Sequence, residues 1–160
     1  MDIATVFNHY AHYLEDKGFR IVEIENNRPW GGYFVVDESQ VKAFAAHFFS
    51  KMDIAFDCKL SPKVLLVAPG KRLSWQYHHR RSEVWKCMEG SVHVALSNND
   101  AEGEAYILLS GEVMHIPQGV RHRLMGLDNW GVVAEIWQHT DPAHPSDEND
   151  IVRLQDDFGR

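Results

Sequence analysis

The stretch Gly70–Gly90, GKRLSWQYHHRRSEVWKCMEG, holds Gln76, His78 and Glu83 between two glycines. Side chains alternate along an extended strand, so Gln76 and His78 point the same way. A tight bend after His78 would bring Glu83, on the next extended run, back beside them. An amide oxygen, an imidazole and a carboxylate form a metal-ligand set that lacks one member. The stretch therefore predicts a metal site that a residue from elsewhere completes.

A second stretch, Gly111–Gly126 (GEVMHIPQGVRHRLMG), offers His122 as that residue. The spacing of the first stretch is G-x5-Q-x-H-x4-E-x6-G, and that of the second is G-x5-P-x-G-x2-H. These two spacings, in this order, resemble the two motifs of the cupin barrel, a small jelly roll that holds its metal inside. The usual first ligand of that pattern is histidine, where this chain has Gln76. The predicted fold is all-β, a cupin (double-stranded β-helix) barrel with helical additions at the N-terminus.

Short β-rich runs separated by turns support a closed antiparallel barrel after residue 60. The predicted strands are Lys63–Ala68, Leu73–His78, Glu83–Met88, Ser91–Leu96, Ala105–Leu109, Val113–Ile116, His122–Met125 and Val132–His139. We expect one domain over residues 1–160, with a cupin core at 60–140 and a polar C-terminal tail at 141–160.

The N-terminal segment, residues 1–59, is predicted to cover the barrel rather than to form its own domain. Residues 2–17 have the apolar spacing of an amphipathic helix, which Asp2 can cap and Gly18 can end. Phe19–Glu25 is a strand candidate, and Ser39–Met52 is predicted to be a second helix.

Composition argues against two classes of function, nucleic-acid binding and membrane association. The formal net charge of -7 argues against a nucleic-acid partner, which needs a basic face. No apolar run approaches the roughly 18 residues of a membrane span, and the N-terminus lacks the pattern of a secretory signal. We expect a cytoplasmic protein that does not associate with membranes and whose two cysteines, Cys58 and Cys87, are reduced.

The donor set favours a borderline divalent ion. Zinc is the leading choice, and manganese, iron, cobalt and nickel remain open. The alternative is a metal-free polar cluster, which hydrogen bonds alone would hardly satisfy in a buried site.

A more specific resemblance comes from motifs spread over residues 28–36 and 60–160. They are Arg28-Pro29-Trp30-Gly31, Pro69-Gly70, Arg72-Leu73-Ser74, Gln76-x-His78-His79, Arg81-x-Glu83-x-Trp85, Ile116-Pro117, His122-Arg123-Leu124, Glu135, Gln138, Asp150-Ile151-Val152-Arg153 and Phe158-Gly159-Arg160. The chain resembles the type II phosphomannose isomerases, a family that is also found fused to mannose-1-phosphate guanylyltransferase. This resemblance implies a metal-dependent aldose–ketose isomerase acting on a sugar phosphate, closest to mannose 6-phosphate and fructose 6-phosphate.

The resemblance also implies roles for individual residues. The metal ligands would be Gln76, His78, Glu83 and His122, the same four that the spacing indicates. The groups expected to bind the anionic part of the substrate are Lys63, Arg81, Arg153 and Arg160. The catalytic candidates are Arg81, His79 and Glu135, with a metal-bound hydroxide as an alternative base.

Two departures from the family pattern put the substrate in question. Arg80 and Val84 stand where the family usually has histidine. A second hypothesis is a sugar- or sugar-phosphate-binding metal cupin without turnover, and a third is a different metal-cupin enzyme such as an oxygenase. Exposed barrel edges lead us to expect a homodimer.

Overall fold

Eleven strands form two antiparallel sheets in the computed structural model, which describes residues 1–160. The strands are β1 Ile21–Arg28, β2 Gly31–Val36, β3 Leu60–Val67, β4 Trp75–Tyr77, β5 Arg81–Glu89, β6 Ser91–Ser97, β7 Ala105–Leu109, β8 Val113–Ile116, β9 Arg121–Met125, β10 Gly131–His139 and β11 Val152–Gln155. One sheet has the order β1-β2-β3-β10-β5-β8 and the other has the order β11-β4-β9-β6-β7.

Strand alternation separates two hydrophobic cores on either face of the six-stranded sheet. Phe34, Val64 and Val84 pack with the helices in an outer core. Their neighbours Leu65 and Trp85 pack inward against residues of the five-stranded sheet. The inner face of β3, β5 and β10 therefore looks into the barrel, and any polar side chain on that face is a candidate for the site.

Two helices cover the outer face. Helix α1 spans Ile3–Asp16, and the Asp2 side chain accepts a hydrogen bond from the Thr5 amide at 2.8 Å. Helix α2 spans Val41–Phe48 and follows a short 3-10 turn at Glu38–Gln40. Both helices contribute residues to the outer core, and α2 ends four residues before the expected Met52.

The cupin architecture predicted from the two motifs is confirmed, and all eight predicted barrel strands are present, six of them with shifted ends. The prediction of a C-terminal tail outside the core needs correction. Residues 152–155 form β11, which pairs with β4 and completes the five-stranded sheet. Polar composition hid this strand, because an edge strand buries only part of each side chain.

Three further features bear on the predictions about membranes, cysteines and dimerisation. Neither helix is long and apolar enough to cross a membrane. Both cysteines are unpaired. Val22 and Ile24 are exposed on the edge strand β1. That strand is the surface on which the homodimer, which remains a prediction, would most simply form.

We expect Phe44→Ala to lower the free energy of unfolding by about 3–5 kcal/mol, because the ring is fully buried between α2 and the sheet. Phe56→Ala is the matched control, since 45% of that residue is exposed and its removal should cost less than about 1 kcal/mol. Urea unfolding followed by circular dichroism measures both. Equal losses in the two variants would contradict the assignment of the outer core.

Candidate metal centre and anion pocket

Strand register brings the four predicted ligands to one point inside the barrel. Gln76 on β4 lies directly opposite His122 on β9. His78 follows β4, and Glu83 points inward from β5. All four residues are buried. His78, Glu83 and His122 each offer one potential ligand atom, and these three atoms lie within 4.8 Å of one another.

Both histidines have their ring orientation and tautomer fixed by a backbone carbonyl. His78 Nδ1 lies 2.6 Å from the carbonyl oxygen of Asp150, and His122 Nδ1 lies 2.9 Å from that of Val120. A carbonyl only accepts, so each Nδ1 must carry the proton and each Nε2 an unshared electron pair. Burial lowers the pKa of His78 to about 3 and also lowers that of His122, so both rings are neutral at physiological pH.

The two unprotonated nitrogens face each other. His78 Nε2 and His122 Nε2 are 3.2 Å apart, and Glu83 oxygens lie 3.4 Å and 3.7 Å from them. Two acceptors cannot bond to each other, so they need a cation or a donor between them. Two nitrogens bound to one tetrahedral zinc at about 2.0–2.1 Å stand roughly 3.3 Å apart, close to the separation seen here.

Arg81 partly supports the metal-free alternative. Its Nη2 lies 3.2 Å from His78 Nε2, and its Nε donates to Glu83 at 2.8 Å. Burial opposes ionisation of Glu83, yet Arg81 and the two imidazoles hold its pKa below its usual range. His122 Nε2, however, receives no proton from any side chain and is fully buried. The arrangement therefore fits a bound cation better than a closed hydrogen-bond network.

Glu135 forms a second carboxyl group inside the barrel, in register with Lys63 on β3 and Trp85 on β5. The indole nitrogens of Trp85 and Trp137 each donate to it at 2.8 Å. Burial, together with the charge of Glu83, raises the pKa of Glu135 to about 8. This shift favours the protonated form of Glu135, in which it can donate a hydrogen bond into the pocket.

Cations line the same pocket. They are Arg28, Lys63, Arg81, Arg153 and Arg160. Arg153 on β11 is paired in register with Gln76, and its side chain lines the pocket. The chain as a whole is acidic, so this local excess of positive charge marks a place for an anion.

The segment after residue 140 acts as a strap over the turn that follows β4. The buried Asp150 carboxylate accepts the backbone N–H groups of His79 and Arg80 at 2.9 Å and 3.0 Å. It also accepts the Ser146 hydroxyl at 2.6 Å, while Ser146 Oγ receives a bond from Arg81. Because the carbonyl of Asp150 orients His78, the strap sets the geometry of the metal centre.

The structure does not bring His79 into the site. Its side chain is exposed and lies edge-on to Tyr77, outside the pocket lining. The other predicted residues, including Glu135, Lys63, Arg153 and Arg160, all line the pocket. Sequence reasoning missed Arg28, Glu148 and the strap. Arg28 and Asp150 stand in motifs that the resemblance uses, but Glu148, in a polar acidic run, gives no signal of its own.

Comparison with known proteins identifies the family and supports the fold. Residues 49–156 match the family described as Mannose-6-phosphate isomerase C-terminal, which is more than half of the chain. The chain belongs to this family. Members of the cupin fold among solved structures agree: an RmlC-like cupin from Shewanella frigidimarina covers 79% of this chain and 86% of its own, at 18% identity and a TM-score of 0.52. Oxalate decarboxylase from Bacillus subtilis covers 82% of this chain and 30% of its own, at 14% identity and a TM-score of 0.57.

Curated relatives indicate the metabolic setting. A mannose-1-phosphate guanylyltransferase of Salmonella montevideo is 31% identical over 148 residues, which is 92% of this chain and 26% of the relative. The xanthan biosynthesis protein XanB of Xanthomonas campestris is 30% identical over 133 residues, or 83% of this chain and 23% of the relative. The chain thus spans about a quarter of the length of these relatives. The relatives are enzymes of sugar-phosphate metabolism.

These names overturn one expectation. The sequence predicted an aldose–ketose isomerase, whereas relatives from Salmonella montevideo, Salmonella typhimurium and Escherichia coli are named as guanylyltransferases. Guanylyl transfer is a nucleotidyl transfer, not an isomerisation. The motifs that carried the resemblance belong to the barrel and its pocket, and they do not specify which reaction the pocket serves.

We expect Asp150→Asn to weaken zinc binding about tenfold or more and to lower the free energy of unfolding by about 1–3 kcal/mol. The reason is that two backbone N–H groups and the Ser146 hydroxyl lose their charged acceptor, which frees the residue that orients His78. Competition with a fluorescent zinc chelator and thermal unfolding measure the two effects. Asp128→Asn, on an exposed turn, is the control. Unchanged zinc affinity in Asp150→Asn would refute the positioning role of the strap.

Proposed function

We propose that the barrel binds a phosphorylated sugar of mannose metabolism next to a divalent ion. The observation that supports this proposal is that one pocket contains both a candidate metal-ligand set and a cluster of cationic side chains. A neutral histidine pair with a carboxylate lies at the bottom, and five cationic side chains line the same space. A ligand with an anionic end and several hydroxyl groups satisfies both sets, since an ion takes hydroxyl oxygens and guanidinium groups take phosphate.

Zinc is the ion we favour, held by Gln76, His78, Glu83 and His122. Two imidazole nitrogens and a carboxylate oxygen are typical zinc ligands, and the amide oxygen of Gln76 can serve as the fourth. Gln76 is suited to this because it faces His122 in register and its side-chain amide makes no hydrogen bond within the chain. Such an ion acts as a Lewis acid toward an oxygen atom of the ligand.

The protein groups have distinct roles in this proposal. Lys63, Arg153 and Arg160 bind the phosphate, and Arg81 holds Glu83 in place while contributing positive charge. Protonated Glu135 donates a hydrogen bond to a sugar oxygen. Mannose 1-phosphate is the ligand we favour, because it is the sugar phosphate in the names of the guanylyltransferase relatives. The chain would then supply a sugar-phosphate-binding domain to that metabolism.

Titration of zinc-loaded protein with mannose 1-phosphate in a calorimeter tests the proposal. We expect binding that weakens about tenfold in Arg153→Gln, because an unpaired guanidinium facing the pocket is lost. Arg20→Gln is the matched control, since Arg20 is exposed and pairs with Asp37 far from the pocket lining. Absence of binding by the zinc-loaded wild type, or equal weakening in both variants, would refute the proposal.

Removal of the ion provides a second prediction. His122→Ala should lose stoichiometric zinc, and it should bind mannose 1-phosphate no better than the metal-stripped wild type does. His93→Ala, on the neighbouring strand β6 and outside the ligand group, should keep both properties. Elemental analysis by mass spectrometry together with the same calorimetric titration checks this. Retention of one zinc per chain in His122→Ala would rule out the ligand set.

A further inference from the structure

An ion pair at the mouth of the pocket joins a buried lysine, Lys63, to an exposed glutamate, Glu148. Lys63 is held from both sides, with its ammonium 4.4 Å from the centre of the Tyr33 ring and 3.9 Å from that of Trp137. Only 7% of its side chain is exposed, and its ion-pair partner is Glu148, of which 53% is exposed. The Glu148 carboxylate makes no hydrogen bond other than the one it accepts from Lys63. The cation is fixed, whereas the carboxylate can leave into solvent.

Further cations surround the position of that carboxylate. Arg28 and Arg153 line the pocket together with Glu148. Burial lowers the pKa of Arg153, and the charge of Glu148 opposes that lowering. Arg28 has a buried Nε without any hydrogen-bond partner, and the nearest carboxylate oxygen, from Glu25, lies 3.9 Å from it. Arg153 forms no ion pair, because the nearby Asp156 is bonded to Arg160. The Glu148 carboxylate therefore shares the pocket lining with one ammonium and two guanidinium groups, and it bonds only to the ammonium.

A phosphate monoester fits this position better than a carboxylate does. It carries a charge of about -1.5 to -2 at neutral pH and presents three acceptor oxygens. Those oxygens can pair with Lys63, Arg28 and Arg153 at once, and guanidinium groups bind them in a fork. The departing Glu148 regains hydration, so its release opposes binding only weakly.

We propose that Glu148 occupies the phosphate position of the pocket and competes with the ligand for Lys63. Glu148 thereby sets a preference for doubly charged over singly charged or neutral ligands. Its neighbours on both sides keep the strap in place through Asp147 and Asp150, so the side chain can swing out without loss of the metal geometry. This inference rests on the proposed sugar-phosphate site, and it adds Arg28 to that site.

Whether removal of Glu148 tightens or weakens ligand binding distinguishes competition with the ligand from assistance to it. If Glu148 bound a ligand hydroxyl or merely stabilised Lys63, its removal would weaken binding. If it competes with phosphate, its removal tightens binding of anions and leaves binding of unphosphorylated mannose unchanged. The tightening must also depend on Lys63, because that residue is the shared partner.

The experiment is a double-mutant cycle on the zinc-loaded full chain, with Glu148→Gln, Lys63→Gln and the combined variant. Inorganic phosphate and mannose 1-phosphate are the probes, and calorimetry measures each dissociation constant. We expect Glu148→Gln to tighten both about three- to tenfold, and to have no such effect when Lys63 is glutamine. Glu23→Gln is the control, an exposed acid of the same chemical type on β1 without an ion pair.

The outcomes separate this inference from the proposed function. Weaker or unchanged phosphate binding in Glu148→Gln would overturn the inference, as would equal tightening in Glu23→Gln or an absence of phosphate binding in all variants. Tighter inorganic phosphate without any binding of mannose 1-phosphate would support the role of Glu148 and refute the proposed sugar ligand. Circular dichroism and zinc content confirm that each variant is folded and loaded.

Discussion

Two buried histidine nitrogens that face each other without a proton between them impose the main constraint on this molecule. Each ring has its other nitrogen committed to a backbone carbonyl, so neither can rotate or change tautomer to relieve the contact. Glu83 supplies negative charge beside them, and the Arg81 guanidinium contacts both Glu83 and His78. The surrounding strands and the strap hold these groups together in a buried site from which water is largely excluded.

The fold meets this constraint with parts distant in sequence. The inner faces of β3, β5 and β10 bring Lys63, Glu83 and Glu135 into one layer through strand register. The C-terminal segment adds β11 beside β4 and closes the turn after His78 through Asp150. The helices contribute to stability through the outer core and do not touch the pocket. Metal geometry, anion binding and stability are thus assigned to different elements.

The barrel and the convergence of the four candidate ligands could be predicted because both depend on short-range rules. Period-two alternation placed Gln76, His78 and Glu83 on inner faces, and motif spacing supplied His122. Glu148 and the strap could not be predicted, since their contacts with Lys63 and with the His79 amide join residues some seventy to eighty-five positions apart. The outward direction of His79 agrees with strand alternation, because it neighbours the inward-facing His78. The predicted isomerase activity was wrong because a pocket for a sugar phosphate is compatible with several reactions.

Zinc-edge anomalous diffraction from crystals of the zinc-loaded chain tests the central claim most directly. We expect one anomalous peak inside the barrel, about 2.0–2.2 Å from His78 Nε2, His122 Nε2 and a Glu83 oxygen, with Gln76 in the same coordination sphere. An empty barrel at saturating zinc, or a peak bound by other residues while His78 and His122 keep their 3.2 Å contact, would contradict it.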